Sequence, residues 1–173
     1  MPIPLKQVLS SKHLLIRPIK FDVDSPIIDH FVSCVSDVVN ESLQRYSLDR
    51  LQQKQDLSFR RAELREMVFK VFVHARLSLA VLLGALVYIE RIRAELMVKD
   101  DVWALERVFL GAVIAASKYL NDSVPSNKLW VHASEVFSIR DINRIEREFL
   151  DVLDWKLEIT EDDLHVQSTR LVS

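Results

Sequence analysis

The sequence predicts an all-α protein, and three observations predict it. Apolar residues recur at helical spacing from Pro26 onward, no alternating run of convincing strand length occurs, and the chain breakers sit at segment edges. The glycines are Gly84 and Gly111, both inside apolar runs, and the prolines stand at positions 2, 4, 18, 26 and 125. A length of 173 residues with 49% hydrophobic and 28% charged residues suits one globular unit with a sizeable core. We divide the chain into an N-terminal extension (1–24), a helical domain (25–160) and a C-terminal tail (161–173).

The first helix starts at Ser25, an N-cap ahead of Pro26 at the first helical position, and runs to about Leu43. Ile28, Phe31, Val32, Val35, Val38 and Val39 face inward. Residues 45–58 are polar with few large apolar groups and read as an exposed loop or frayed helix. A second helix, 58–76, puts Leu64, Met67, Val68, Val71 and Phe72 on one face and a mainly basic, solvated set on the other. The third, 78–96, holds Gly84, whose cost of about 1 kcal/mol against alanine points to a close helix crossing. The fourth, 104–120, is uncharged from Val108 to Ser117, so it must be surrounded; its small residues let neighbours approach closely. A short helix, 128–136, is anchored by Trp130. Ser138 then caps a helix to Leu153, with Asp141 placed as in a capping box. Thr160 as cap and Asp163 in the first turn mark the start of a possible last helix, poor in apolar residues and expected to fray.

Several function classes are disfavoured. Net charge is -2 with both signs interleaved, so no field draws nucleic acid or an anionic membrane, and protein partners are expected. The greasiest run, Leu77 to Ile89, falls short of the roughly 20 residues a membrane helix needs. Residues 1–10 lack the pattern of a secretory signal. The single cysteine, Cys34, reads as a free buried thiol in a reducing compartment, cytoplasm or nucleus. The five histidines show no metal-ligand spacing, there is no glycine-rich phosphate loop, and no nucleophile stands in a recognisable setting. No cofactor and no catalysis are expected. The tryptophans read as core anchors or helix staples rather than platforms for bases.

One residue breaks the pattern. On a helical wheel of 138–153, Ile139, Ile142, Ile145, Phe149, Leu150, Val152 and Leu153 form one arc, and Glu146 lies in the middle of it. A carboxylate on an apolar face costs several kcal/mol of desolvation unless it is paired. Two readings stand level: an ion pair within the chain, or an apolar surface where Glu146 waits for a partner's donors. Lys118, the first charge after the uncharged stretch, raises the same question, although a cation there also complements the helix dipole.

Three ordered strings carry a resemblance: Val87-Tyr88-Ile89-Glu90-Arg91, Ala115-Ala116-Ser117-Lys118-Tyr119, and residues 142–150 from Ile142 to Leu150. With the closing Asp-Val-Leu-Asp-Trp-Lys-Leu at 151–157, residues 63–159 resemble a cyclin box. The details Lys-Tyr-Leu-Asn-Asp, Ser126-Asn127 and Trp130 are most similar to the fungal phosphate-pathway type of cyclin, which has one box. The resemblance implies a five-helix box with a central apolar helix, here with an N-terminal helix added. It implies a regulatory subunit that binds and activates a cyclin-dependent protein kinase as a heterodimer. Lys118 and Glu146 then match the family's pair that bonds backbone groups flanking the kinase's regulatory helix, with Tyr119, Leu150 and Leu157 giving apolar contact. Glu90 stands where the family has a buried aspartate, with Arg61 or Arg65 as its partner. Glu148 matches an acidic position that can face a kinase arginine, or is simply solvated. A helical scaffold or transcription-factor-like adaptor of the same fold, binding a non-kinase protein, is the alternative.

Overall fold

The computed structural model describes residues 18–20, 22, 24–46, 50–99 and 101–173, with backbone alone for 50–58. Among these, seven α-helices and no strands occur: α1 Pro26–Tyr46, α2 Arg50–Ala75, α3 Leu79–Arg91, α4 Ala104–Leu120, α5 Asn127–Ser134, α6 Ile139–Val152 and α7 Glu161–Val172. One isolated bridge joins Pro18 to Ser78, and the Ile19 N–H donates to the Leu77 carbonyl at 3.1 Å. Most of the 1–24 extension lies outside the described residues.

The uncharged stretch of α4 is the centre of the molecule. Every side chain from Val108 to Ser117 is buried, as an all-round apolar helix requires. It packs most extensively on α3 and α6 and also meets α1 and α2, while α5 bridges α2 and α6. Edge-to-face rings of Phe31 and Phe72, 5.2 Å apart, and Phe109, 6.3 Å from Phe31, lock α1, α2 and α4 together. Gly111 is required where α6 crosses: a Cβ there would sit 2.5 Å from the Cβ of Phe149. The central-helix layout expected from the sequence is therefore the one observed.

Three elements differ from expectation. Residues 50–58, read as loop or frayed helix, form the first turns of α2. Leu, Gln and Lys are good helix formers and the stretch has no glycine or proline, so helix persists where little apolar surface marks it. Helix α3 stops at Arg91 and passes into turns at 92–95. The tail expected to fray forms α7, which packs on α3. Its capping box is complete: the Thr160 hydroxyl accepts from the Asp163 N–H at 3.1 Å, and the Asp163 carboxylate accepts from the Thr160 N–H at 2.9 Å. Arg91 ties it further, donating to Asp163 at 3.1 Å and to the Lys156 carbonyl at 2.7 Å.

The connection between α3 and α4 is held from α1. The Ser42 hydroxyl donates to the Leu96 carbonyl and accepts from the Val98 N–H, each at 2.7 Å, and Arg45 donates to the Arg93 carbonyl at 2.7 Å. Ser42 is buried, so Ser42→Ala takes the acceptor from the Val98 N–H and leaves the Leu96 carbonyl only the longer bond from Arg45, at 3.4 Å. A loss of about 1–3 kcal/mol in urea unfolding is expected, and an unchanged midpoint would show that the clamp carries no stability.

Candidate protein-docking site

Helices α4 and α6 run past each other so that the last turn of α4 meets the middle of α6. There Lys118 Nζ donates to both oxygens of Glu146, at 2.6 Å to Oε1 and 2.8 Å to Oε2. Asn127, at the start of α5, donates to Oε2 as well, at 3.0 Å. Of the two readings of Glu146, the ion pair within the chain is thus the one observed, and desolvation alone demands no partner. The pair is nevertheless reachable: the Glu146 side chain is 17% exposed and that of Lys118 29%.

Apolar groups flank it. Tyr119 is 47% exposed, Leu150 lies one turn beyond Glu146 and is buried, and Leu157 is half-buried. The chain returns toward α3 after α6 through Asp154 and Trp155, both left-handed at φ 55°, and the Trp155 N–H donates to the Leu150 carbonyl at 3.1 Å. The Leu157 carbonyl accepts from the Tyr88 hydroxyl at 2.7 Å. Burial, with the Tyr119 phenol beside it, pushes the Tyr88 pKa well up, so Tyr88 keeps its proton. Trp155 itself is 60% exposed, its indole N–H donating to Asp151 at 3.4 Å. Read from the sequence as core anchors or helix staples, the tryptophans divide: Trp130 is fully buried and Trp155 is not. Trp103 is also exposed, with Phe137 edge-on at 5.5 Å.

The other acidic positions fall elsewhere. Glu148 is bound within the chain by Arg107 and by Arg144 Nε at 2.8 Å, and stays part-exposed. Glu90 is not the buried acid: its side chain is 43% exposed and takes Arg93 through both oxygens, at 2.9 and 3.1 Å. Arg61 donates to the Ser33 hydroxyl and Arg65 to Asp29, so neither expected partner reaches Glu90. The longer glutamate side chain lets its carboxylate reach the surface.

The buried acid is Glu106, in the first turn of α4 and 1% exposed. Arg60 of α2 donates to its Oε1 at 2.6 Å and stacks over the Trp103 ring at 4.8 Å. Burial pushes the Glu106 pKa up, against the pull of its backbone hydrogen bond and of Arg60. An acidic residue at a helix start is ordinary on dipole grounds, which hid its burial from a sequence reading.

Among the described residues no group of three or more His, Cys, Asp or Glu is placed to hold a metal ion, and no helix is long and apolar enough to cross a membrane. His74 and His132 meet edge to face at 5.4 Å without a third ligand. Cys34 is half-buried, and burial raises its thiol pKa.

The family model for the cyclin N-terminal domain matches residues 27–158. The chain belongs to the cyclin family. Three Saccharomyces cerevisiae proteins are similar to this cyclin. PHO85 cyclin-2 is 32% identical over 114 residues, 63% of this chain and 36% of that protein. PHO85 cyclin-9 is 34% identical over 107 residues, 59% and 34% of the two chains. PHO85 cyclin-1 is 39% identical over 61 residues, 35% and 22%. The matched part of this cyclin thus spans about a third or less of the length of these relatives. The likeness is to cyclins of the PHO85 type, the fungal type anticipated from the local strings, and cyclins are regulatory rather than catalytic proteins.

Proposed function

We propose that this cyclin binds and activates a cyclin-dependent kinase of the PHO85 type, docking on the kinase's regulatory helix through the ends of α4 and α6. The observation that carries this reading is the state of the Lys118 and Glu146 pair. Nζ has three N–H donors and uses two on Glu146; Oε2 receives two donors and Oε1 one. One donor and one acceptor are left at a reachable surface, the complement of a backbone carbonyl and N–H on another chain. Tyr119, Trp155 and Leu157 supply apolar area around them, in the manner of an interface whose polar centre fixes register. The cyclin contributes no catalytic group. Gripping the regulatory helix keeps the kinase's own lysine and glutamate paired with each other, so that the lysine is held for the ATP phosphates, a shift of population toward the active state. The proposed complex is a heterodimer acting in the cytoplasm, the nucleus or both, with Glu148 contributing at most through its outer edge.

The test combines the full chain with the PHO85 kinase of Saccharomyces cerevisiae and measures affinity and peptide phosphorylation. Lys118→Ala/Glu146→Ala is expected to weaken binding by about 100-fold or more, because a charge pair at an interface is removed. Undiminished binding by the folded double variant would sink the interface. Binding of the unaltered chain without kinase activation would point to the scaffold reading instead.

A further inference from the structure

The amide of Asn127 underlies the docking pair. Asn127 occupies the first helical position of α5, yet it is not the cap: the Ser126 hydroxyl fills that role, accepting from the Lys128 N–H at 3.1 Å. Its Nδ2 is directed at α6 instead, donating to Asn143 Oδ1 at 2.7 Å and to Glu146 Oε2 at 3.0 Å. Turned over, the amide would set its oxygen against the carboxylate, so the charge of Glu146 fixes the donor orientation. The price is visible in the same side chain: Asn127 Oδ1 is buried with no hydrogen-bond partner among the described residues. A buried acceptor left open costs stability. Packing alone would not call for that oxygen; an amide placed for its N–H donors brings it along.

We propose that Asn127 is a positioning residue of the docking pair: by occupying Glu146 Oε2 it orients the carboxylate so that Oε1 faces outward for a kinase backbone N–H. The inference rests on the kinase-docking reading above. Lys118 alone, on a flexible four-carbon stem, would let the carboxylate turn with it. Asn127 comes from the start of a third helix and pins one oxygen, while Asn143 stops the amide from rotating. The open acceptor is thereby held at a fixed place before the kinase arrives, and less order has to be imposed on binding.

The experiment is a double-mutant cycle on the full chain, with PHO85 kinase affinity as readout. Asn127→Ala is expected to weaken binding about tenfold, with an unchanged circular dichroism spectrum. In a Glu146→Ala background the same substitution is expected to change affinity by less than about twofold, since Asn127 acts through that carboxylate. Asn127→Asp, equal in size but without the N–H, is expected to bind more weakly than Asn127→Ala. The proposal is overturned if Asn127→Ala binds like the unaltered chain while Glu146→Ala loses binding, which leaves docking intact. It is also overturned if Asn127→Ala costs as much with Glu146 absent as present, the signature of a structural role. If Glu146→Ala and Lys118→Ala both bind normally, the docking reading itself fails.

Discussion

Arg60→Ala is expected to destabilise the fold by about 3 kcal/mol at neutral pH, because it strips the cation from a buried carboxylate. Glu106 is nearly inaccessible and receives Arg60 at 2.6 Å on one oxygen, while its other oxygen has no partner among the described residues. Its pKa already lies above the ordinary value through burial, and losing Arg60 raises it further. A carboxyl raised in the folded state favours folding most when protonated. Its contribution is complete below the unfolded value of about 4.3 and is lost as pH rises through the folded value. The deficit of Arg60→Ala should therefore be largest at neutral pH and shrink as the unfolded value is approached from above, leaving the lost stacking on Trp103. Arg60→Ala/Glu106→Gln, with no charge to strand, should recover most of the loss. Urea unfolding at neutral and mildly acid pH measures all of this. A pH-independent deficit would mean that packing, not the charge, is what Arg60 supplies.

The two glycines should respond differently to alanine. At Gly111 an added methyl meets the Cβ of Phe149 at 2.5 Å and its ring carbons at 2.6 and 2.7 Å, atoms close to the α6 backbone that cannot swing aside. Gly111→Ala must push α4 and α6 apart, at about 1–3 kcal/mol, and should weaken kinase binding by parting Lys118 from Glu146. At Gly84 the nearest atoms are methyl ends, Leu120 Cδ1 at 2.7 Å and Ile159 Cδ1 at 3.1 Å, which can rotate. Alanine there also regains about 1 kcal/mol of helix propensity, so near-neutrality is expected. Thermal unfolding of both variants decides it; equal losses would refute the steric distinction.

How far the sequence disclosed the molecule depended on whether burial left a periodic mark. Helices α1, α4, α5 and α6, and the start of α3, were legible within a few residues because each has an apolar face or a sharp cap, as at Ser138 and Asp141, whose capping box is complete at 2.9 and 3.2 Å. The start of α2 and the persistence of α7 were not: the cap of α7 at Thr160 and Asp163 could be read, but the helix beyond it is held by that cap and single ties such as Arg91 to Asp163 rather than by an apolar stripe, and the start of α2 carries propensity alone. Within the site, the wheel placed Glu146 on the apolar arc but could not say whose donors it meets, because Lys118 and Asn127 approach from other helices. Glu90 and Glu106 show the same limit from the opposite side: one carboxylate reaches solvent and the other does not, and nothing in their local strings separates them. Trp155 became visible only through the left-handed turn that lifts it outward.

The bond from the Tyr88 phenol to the Leu157 carbonyl has a consequence for the conditions under which the rim of this surface keeps its shape. A hydroxyl whose folded pKa is raised holds its stabilising proton in full below the unfolded tyrosine value of about 10 and surrenders it only above the folded one. Shifts of acidity inside a living cell leave that latch closed.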